Sequence, residues 1–173
     1  MARKDIEELA ASAVWPAGAA LSQQEFCAHV RSEGTRLYRD LPWRGIDDAY
    51  GVLVSEVMLQ QTQVKRVLGR WEHFMGMFPT PDALAAAAPA DVLAEWQGLG
   101  YNRRALALRR AAEECSQHHA GALPVGVDAL QQLPGIGPAT AAGVTAFARN
   151  QRAVYIETNV RTVFLHLLFP DED

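Results

Sequence analysis

YGVLVSEVMLQQTQV, residues 50–64, decides how the rest of the chain is read. From Tyr50 to Leu59 it is apolar on nearly every face, interrupted only by Gly51, Ser55 and Glu56. A helix that is apolar all round belongs in a core. One carboxylate, Glu56, falls in the middle of it. Burial disfavours an ionised carboxylate and raises its pKa, which suits a group that delivers a proton near neutral pH. A core glutamate paired with an arginine elsewhere fits this stretch equally well, and the stretch alone leaves both open. After Leu59 the sequence turns polar without turning charged, at Gln60, Gln61, Thr62 and Gln63. Such side chains are neutral donors and acceptors of the kind that read bases.

At 173 residues, 49% hydrophobic and 21% charged, the chain has the composition of a soluble globular protein with one substantial core. No apolar run approaches the roughly 18 residues of a membrane span, and MARKDIEELA has no signal-peptide pattern. Cys27 and Cys115 lie far apart and make neither a disulfide framework nor a metal knuckle, so a cytoplasmic location is expected. The net charge of −4 is unevenly spread, with acid gathered at Asp5, Glu7 and Glu8 and at Asp171, Glu172 and Asp173. Between Gly98 and Leu165, seven arginines (103, 104, 109, 110, 149, 152, 161) face four acids (113, 114, 128, 157), a local excess of 3 positive charges. A basic stripe of this kind is the footprint of a nucleic-acid binder, and it outweighs the total.

Outward from the central stretch, the chain reads as helices joined by short loops, with no convincing strand alternation. Residues 5–13 can form a turn or two before Pro16. Leu21 to Tyr38 is amphipathic and opens on a capping box, Ser22 with Glu25. Lys65 to Phe78 is expected as one helix, with Val67, Trp71, Phe74 and Phe78 on its inner face. Thr80-Pro81 and Ala88-Pro89 start two short helices, Pro being favoured in the first turn. A long helix follows from about Tyr101 to His118. Leu133-Pro134-Gly135-Ile136-Gly137, between a short helix at 127–132 and a small-residue helix from Pro138 to about Arg149, makes a helix–hairpin–helix. Gly135 and Gly137 are expected to permit backbone geometries closed to other residues and to let the main chain approach a phosphate. The free N–H groups at the start of the second helix then hold that phosphate without reading sequence. A purely structural turn between helices is the alternative.

Five motifs in this order, LPWR (41–44), SEVMLQQTQV (55–64), WQGLGY (96–101), LPGIGPAT (133–140) and Asn159-Val160-Arg161, resemble the adenine DNA glycosylases of the MutY type. These belong to the helix–hairpin–helix DNA glycosylase superfamily, which includes endonuclease III. The resemblance covers about residues 36–168. It implies an all-α glycosylase fold whose six-helix lobe is present here and whose second, iron–sulfur lobe is absent or truncated. Residues 1–20 are then an N-terminal extension, and 21–173 a glycosylase domain incomplete at its C-terminal end. The partner it implies is double-stranded DNA carrying a mispaired or damaged base, with adenine opposite guanine or 8-oxoguanine flipped out before attack.

Carried over by residue, the resemblance makes Glu56 the catalytic acid and Glu157 the second catalytic carboxylate. Gln61 and Tyr101 match the residues that enter the base stack beside the flipped base. Gly135, Gly137 and Thr140 fall in the phosphate-binding hairpin, and Asn159 is a further DNA-binding position. Leu59, Arg44 and Ala139 belong to the base pocket. The chain departs from the family in three ways. The usual Asp-Gly-Asn reads Glu157-Thr158-Asn159, so the second carboxylate hangs on one more methylene. Ala139 stands where bifunctional relatives carry a lysine and adenine glycosylases usually carry Ser or Tyr. No four-cysteine cluster is present: no cofactor is expected within this chain, and a [4Fe-4S] cluster only if a longer native chain supplies the cysteines. The implied enzyme is a monofunctional glycosylase. A glycosylase of other base specificity (T:G or oxidised pyrimidine) and a non-catalytic DNA-binding protein remain as alternatives.

Overall fold

Ser22 opens the first helix, α1 (Gln23–Arg36), with the capping box its sequence announces: the Ser22 hydroxyl accepts from the Glu25 N–H, and the Glu25 carboxylate accepts from the Ser22 N–H at 2.9 Å. A cap of this type contributes about 1 kcal/mol. The computed structural model describes residues 15–171, and the turn expected at 5–13 lies outside them. Two compact units divide the described residues, one formed by residues up to Asp40 together with those from Ile156 on, and the other by Leu41–Tyr155.

In the first unit α1 turns Phe26 inward, between Trp15 (ring centroids 5.7 Å apart) and Phe164 (4.9 Å). Phe164 lies on the last helix of the chain, Thr158–Leu168, and the Ala20 N–H donates to the Leu168 carbonyl at 2.8 Å. Leu168 is buried while Val163, Phe164 and Leu165 remain more than 40% exposed.

The second unit is built on α2 (Ala49–Leu59), the helix that is apolar on nearly every face. Asp48 caps it by accepting from the Tyr50 N–H, and Tyr50, Val52, Leu53, Val54, Val57 and Met58 are all buried. Each Leu or Met buried there contributes roughly 1.5–3 kcal/mol. The single helix expected from Lys65 to Phe78 is two: α3 (Val64–Val67) and α4 (Arg70–Met77). Leu68 is extended and Gly69 takes a left-handed turn, φ 76°, between them. Val67, Trp71, Phe74 and Phe78 are nevertheless all buried, so the apolar spacing identifies the inner face across the break.

Thr80 and Pro81 start α5 (Pro81–Ala86), Pro89 starts α6 (Pro89–Glu95), and both pack on α7 (Arg103–His118) through Leu84, Val92, Leu108 and Ala112. α7 begins two residues after Tyr101, which is left in the preceding loop with φ 50°. The hairpin follows as α8 (Val127–Leu130), the turn 131–137 and α9 (Pro138–Arg149). Leu130, Leu133 and Ile136 anchor it in the core. α9 packs against α2 through Ala141, Ala142, Gly143 and Val144, small residues that let the two backbones approach. The final helix Thr158–Leu168 becomes α10. Among the described residues every regular element is helical, as the sequence predicts.

Candidate active site

Glu56 is the one half-buried residue in a run of buried ones from Gly51 to Met58. It is not sealed in the core as expected, because α9 presents a glycine to it. A Cβ at Gly143 would lie 2.6 Å from Glu56 Oε2, so the absence of that one atom makes room for the carboxylate. Tyr155 donates its hydroxyl to the same oxygen at 3.4 Å, and its ring packs edge-on against Phe147, centroids 5.4 Å apart. The result is a half-buried acidic side chain held at the junction of two packed helices. Such a group can give a proton to, or take one from, a molecule bound beside it.

Just beyond Glu56 the chain leaves α2 with Gln60 extended and Gln61 in the left-handed region, φ 54°. Gln61 is exposed, and so is Tyr101 at 53%. Both residues therefore display side chains from strained backbone. A non-glycine residue in this region costs about 1–2 kcal/mol, and such strain gathers at working sites. Between the two loops lies Arg104, buried, its guanidinium 5.4 Å from the centre of the Tyr101 ring and 5.6 Å from that of Trp96. Burial lowers its pKa, and hydrogen bonds from both of its terminal nitrogens offset that cost.

The hairpin uses its two glycines differently. Gly135 has φ 78°, and a Cβ there would meet the Ala107 Cβ at 2.6 Å. Gly137 is extended (φ −84°, ψ 172°), a conformation open to any residue, with nothing within 4 Å of a Cβ. Its special backbone, expected from the sequence, is corrected to an open approach. Thr140 is also turned round: its side chain is buried and its hydroxyl accepts from Gln60 Nε2 at 3.1 Å. What it offers a phosphate is an N–H in the first turn of α9, one of the groups helices leave free. Ala139 is exposed at the second position of that turn. Of the seven arginines expected in a basic stripe, Arg104 is buried. Arg109 binds the carbonyls of Ala85 and Ala87 and pairs with Glu113, and Arg149 donates to the Leu123 carbonyl. Arg103 and Arg110 do face solvent, and with Gln60, Pro134, Gly135 and Ile136 they line a cavity of about 290 Å³ beside the hairpin. Leu59 is half-buried against the core, and Arg44 is exposed on the turn after Trp43.

In the first unit, Glu157 is itself the N-cap of α10. Its Oε1 accepts from the N–H groups of Asn159 (2.9 Å) and Val160 (3.1 Å), and its Oε2 from the Asn159 side-chain amide (3.4 Å).

Residues 54–173 match the family model of the HhH-GPD superfamily of base excision DNA repair proteins. The chain belongs to this superfamily. It is 45% identical over 130 residues to the adenine DNA glycosylase of Mycobacterium tuberculosis (strain H37Rv), covering 74% of this chain and 42% of that protein. With the human adenine DNA glycosylase it shares 39% over 134 residues, 72% of this chain and 24% of the relative. It thus spans less than half the length of either. A thermostable thymine-DNA glycosylase superposes with a TM-score of 0.74 at 24% identity, over 79% of this chain and 63% of that one. A trapped endonuclease III–DNA covalent intermediate does so with 0.70 at 19%, over 83% and 68%. At those identities the structures establish the fold alone: the HhH-GPD glycosylase fold.

A four-thiolate iron–sulfur cluster does not fit the donors of this chain. The sequence has two cysteines, and Cys115 is buried with its thiol pushed up to about 11 by that burial, the reverse of what a ligand thiolate needs. Among the described residues no group of three His, Cys, Asp or Glu could hold a metal ion, and no helix is long and apolar enough to cross a membrane. The sequence reading missed three residues of the site. Arg104 was counted as surface charge, Gly143 looked like one small residue among many, and Tyr155 carries no signal in Ala153-Val154-Tyr155-Ile156 that separates it from a core aromatic.

Proposed function

We propose that this chain carries the excision machinery of a mismatch-specific adenine DNA glycosylase. The observation that carries the reading is Glu56, set on a buried helix, cleared by Gly143 and touched by the Tyr155 hydroxyl. The adenine DNA glycosylase names of relatives at 45% and 39% identity support the substrate. In the reaction, protonated Glu56 gives its proton to N7 of the flipped adenine, and the C1′–N9 bond breaks with its electron pair passing to the base. The sugar is left as an oxocarbenium ion. Water adds at C1′ as Glu56 takes up a proton, releasing adenine and an abasic site, and the division of labour between two carboxylates is that of glycoside hydrolysis.

Glu157 is the second carboxylate in this scheme. Its Oε1 is held by two N–H groups at the start of α10, while Oε2 carries one long contact. Gln61 and Tyr101 fill the space the adenine leaves, an amide and an aromatic ring being suited to the stack. Gly135, Gly137 and the first turn of α9 hold the backbone phosphate. Hydrolysis is monofunctional, because a Schiff base needs an amine in the pocket and the two lysines, Lys4 and Lys65, fall outside the matched positions. The enzyme works where DNA is, in the cytoplasm or nucleoid. Single-turnover assays on duplexes with A opposite G, A opposite 8-oxoguanine and T opposite G test the reading. Adenine is released from the first two and thymine is retained in the third. Thymine release, or tight binding without release of either base, contradicts it.

A further inference from the structure

Arg104 is a buried cation that no part of the reaction uses, and its partners lie on two separate loops. Its Nη1 donates to the carbonyls of Val57 (2.7 Å), Met58 (3.1 Å) and Gln60 (2.6 Å), the end of α2 and the residue before Gln61. Its Nη2 donates to Thr62 Oγ1, just after Gln61, and to the carbonyls of Leu99 and Gly100, just before Tyr101, each at 3.1 Å. The last carbonyls of a helix have no partner within it, and a cation at that end also meets the negative pole of the helix dipole. One guanidinium thus closes α2 and grips the residues flanking both left-handed positions. The Tyr101 ring lies over that guanidinium and is still half exposed. Trp96, fully buried, fixes Gly100 through Nε1 at 3.1 Å.

We propose that Arg104 is a positioning residue that holds Gln61 and Tyr101 in their left-handed conformations together, so that the two inserting side chains act as one rigid pincer. The proposal rests on the reading of those two residues as the ones that enter the base stack. Its physical basis is the shared partner. Two strained residues, each costing about 1–2 kcal/mol, keep their conformations only where the surroundings over-determine them. Here the surroundings of both are the same planar fork. Loosening it on one loop frees the other.

Arg104→Lys keeps the charge and the stem but supplies one nitrogen where two are needed, so it cannot span both loops. Hydrogen exchange of the free protein and binding to mispaired and matched duplexes are compared with the parent. The Thr62 N–H, bonded to the Leu59 carbonyl, and the Leu99 N–H, bonded to that of Trp96, report on the two loops, and the Ala141 N–H, bonded to that of Gly137, on the hairpin. Expected is faster exchange at Thr62 and Leu99 together, by about tenfold or more, with Ala141 unchanged. Preference for the mispaired duplex falls about tenfold while matched affinity holds. Release of one loop alone, of neither, or of both with the parent's preference intact overturns the proposal. A parent without mispair preference whose variant still frees both loops sustains the pincer and removes the insertion reading instead. Should Arg104→Lys not fold, Gln61→Gly with Tyr101→Gly in the same chain relieves the strain and is expected to restore folding. Failure to restore it shows that the guanidinium supports the core alone, and overturns the proposal.

Discussion

The hairpin and the loops at Gln61 and Tyr101 each hold a residue in the left-handed region, and they do so in opposite ways. At Gly135 the chain uses a glycine, because a Cβ would strike Ala107. At Gln61 and Tyr101 it uses full side chains at φ 54° and 50° and ties them down with Arg104. Where a Cβ has no room, glycine removes the strain. Where a side chain must be displayed, the strain is kept and a buried cation offsets it. Gly143 is a third use of the same economy of atoms: an ordinary helical residue whose missing Cβ leaves room for the Glu56 carboxylate.

If the hairpin and loops only bind, and Glu56 with Glu157 breaks the bond, the substitutions separate cleanly. Glu56→Gln is expected to lower single-turnover adenine release by about 10²–10⁴-fold, the contribution of a positioned acid, with mispair affinity kept. Affinity lost along with excision would place Glu56 in binding. Glu157→Gln keeps the shape of the α10 cap and removes the charge. Release should fall about 10²–10³-fold, the scale of one lost electrostatic partner, while release at the parent rate would leave Glu157 as a cap alone. Gly143→Ala adds the Cβ that meets Glu56 Oε2. Stability should change by less than about 1 kcal/mol, since alanine favours the helix, while excision falls about 10²-fold from a displaced acid. A melting temperature that collapses instead would make Gly143 a packing residue. Tyr155→Phe removes a neutral hydrogen bond worth about 1 kcal/mol, and release should slow no more than about tenfold. A larger loss would mean that the hydroxyl itself passes the proton.

Patterns that repeat along one element could be read before any coordinates. The all-round apolar run of α2, the Ser22 capping box, the Pro-started short helices and the hairpin stand where the residues put them, because each rests on local chemistry. Pairings between distant segments were not readable. Arg104 meets residues 42–47 positions away in the chain, and Gly143 meets Glu56 across two packed helices. The break at Gly69 was missed for a related reason. Val67, Trp71, Phe74 and Phe78 keep their inward spacing through it, so periodicity shows the face and hides the interruption. The inward turn of the Thr140 hydroxyl is of the same kind: a hairpin motif names positions, and only Gln60, 80 residues away, decides where that hydroxyl points.

The difference between the two kinds of left-handed residue is tested most directly by measuring Gly135→Ala and Tyr101→Ala side by side against matched and mispaired duplexes. On the proposed function Gly135→Ala disturbs a phosphate contact that carries no sequence information, so both affinities should fall together and their ratio should stay constant. Tyr101→Ala removes stacking worth roughly 1–3 kcal/mol, so only the mispaired affinity should fall, at an unchanged melting temperature. A ratio that moves with Gly135→Ala, or one that holds in Tyr101→Ala, would contradict the account.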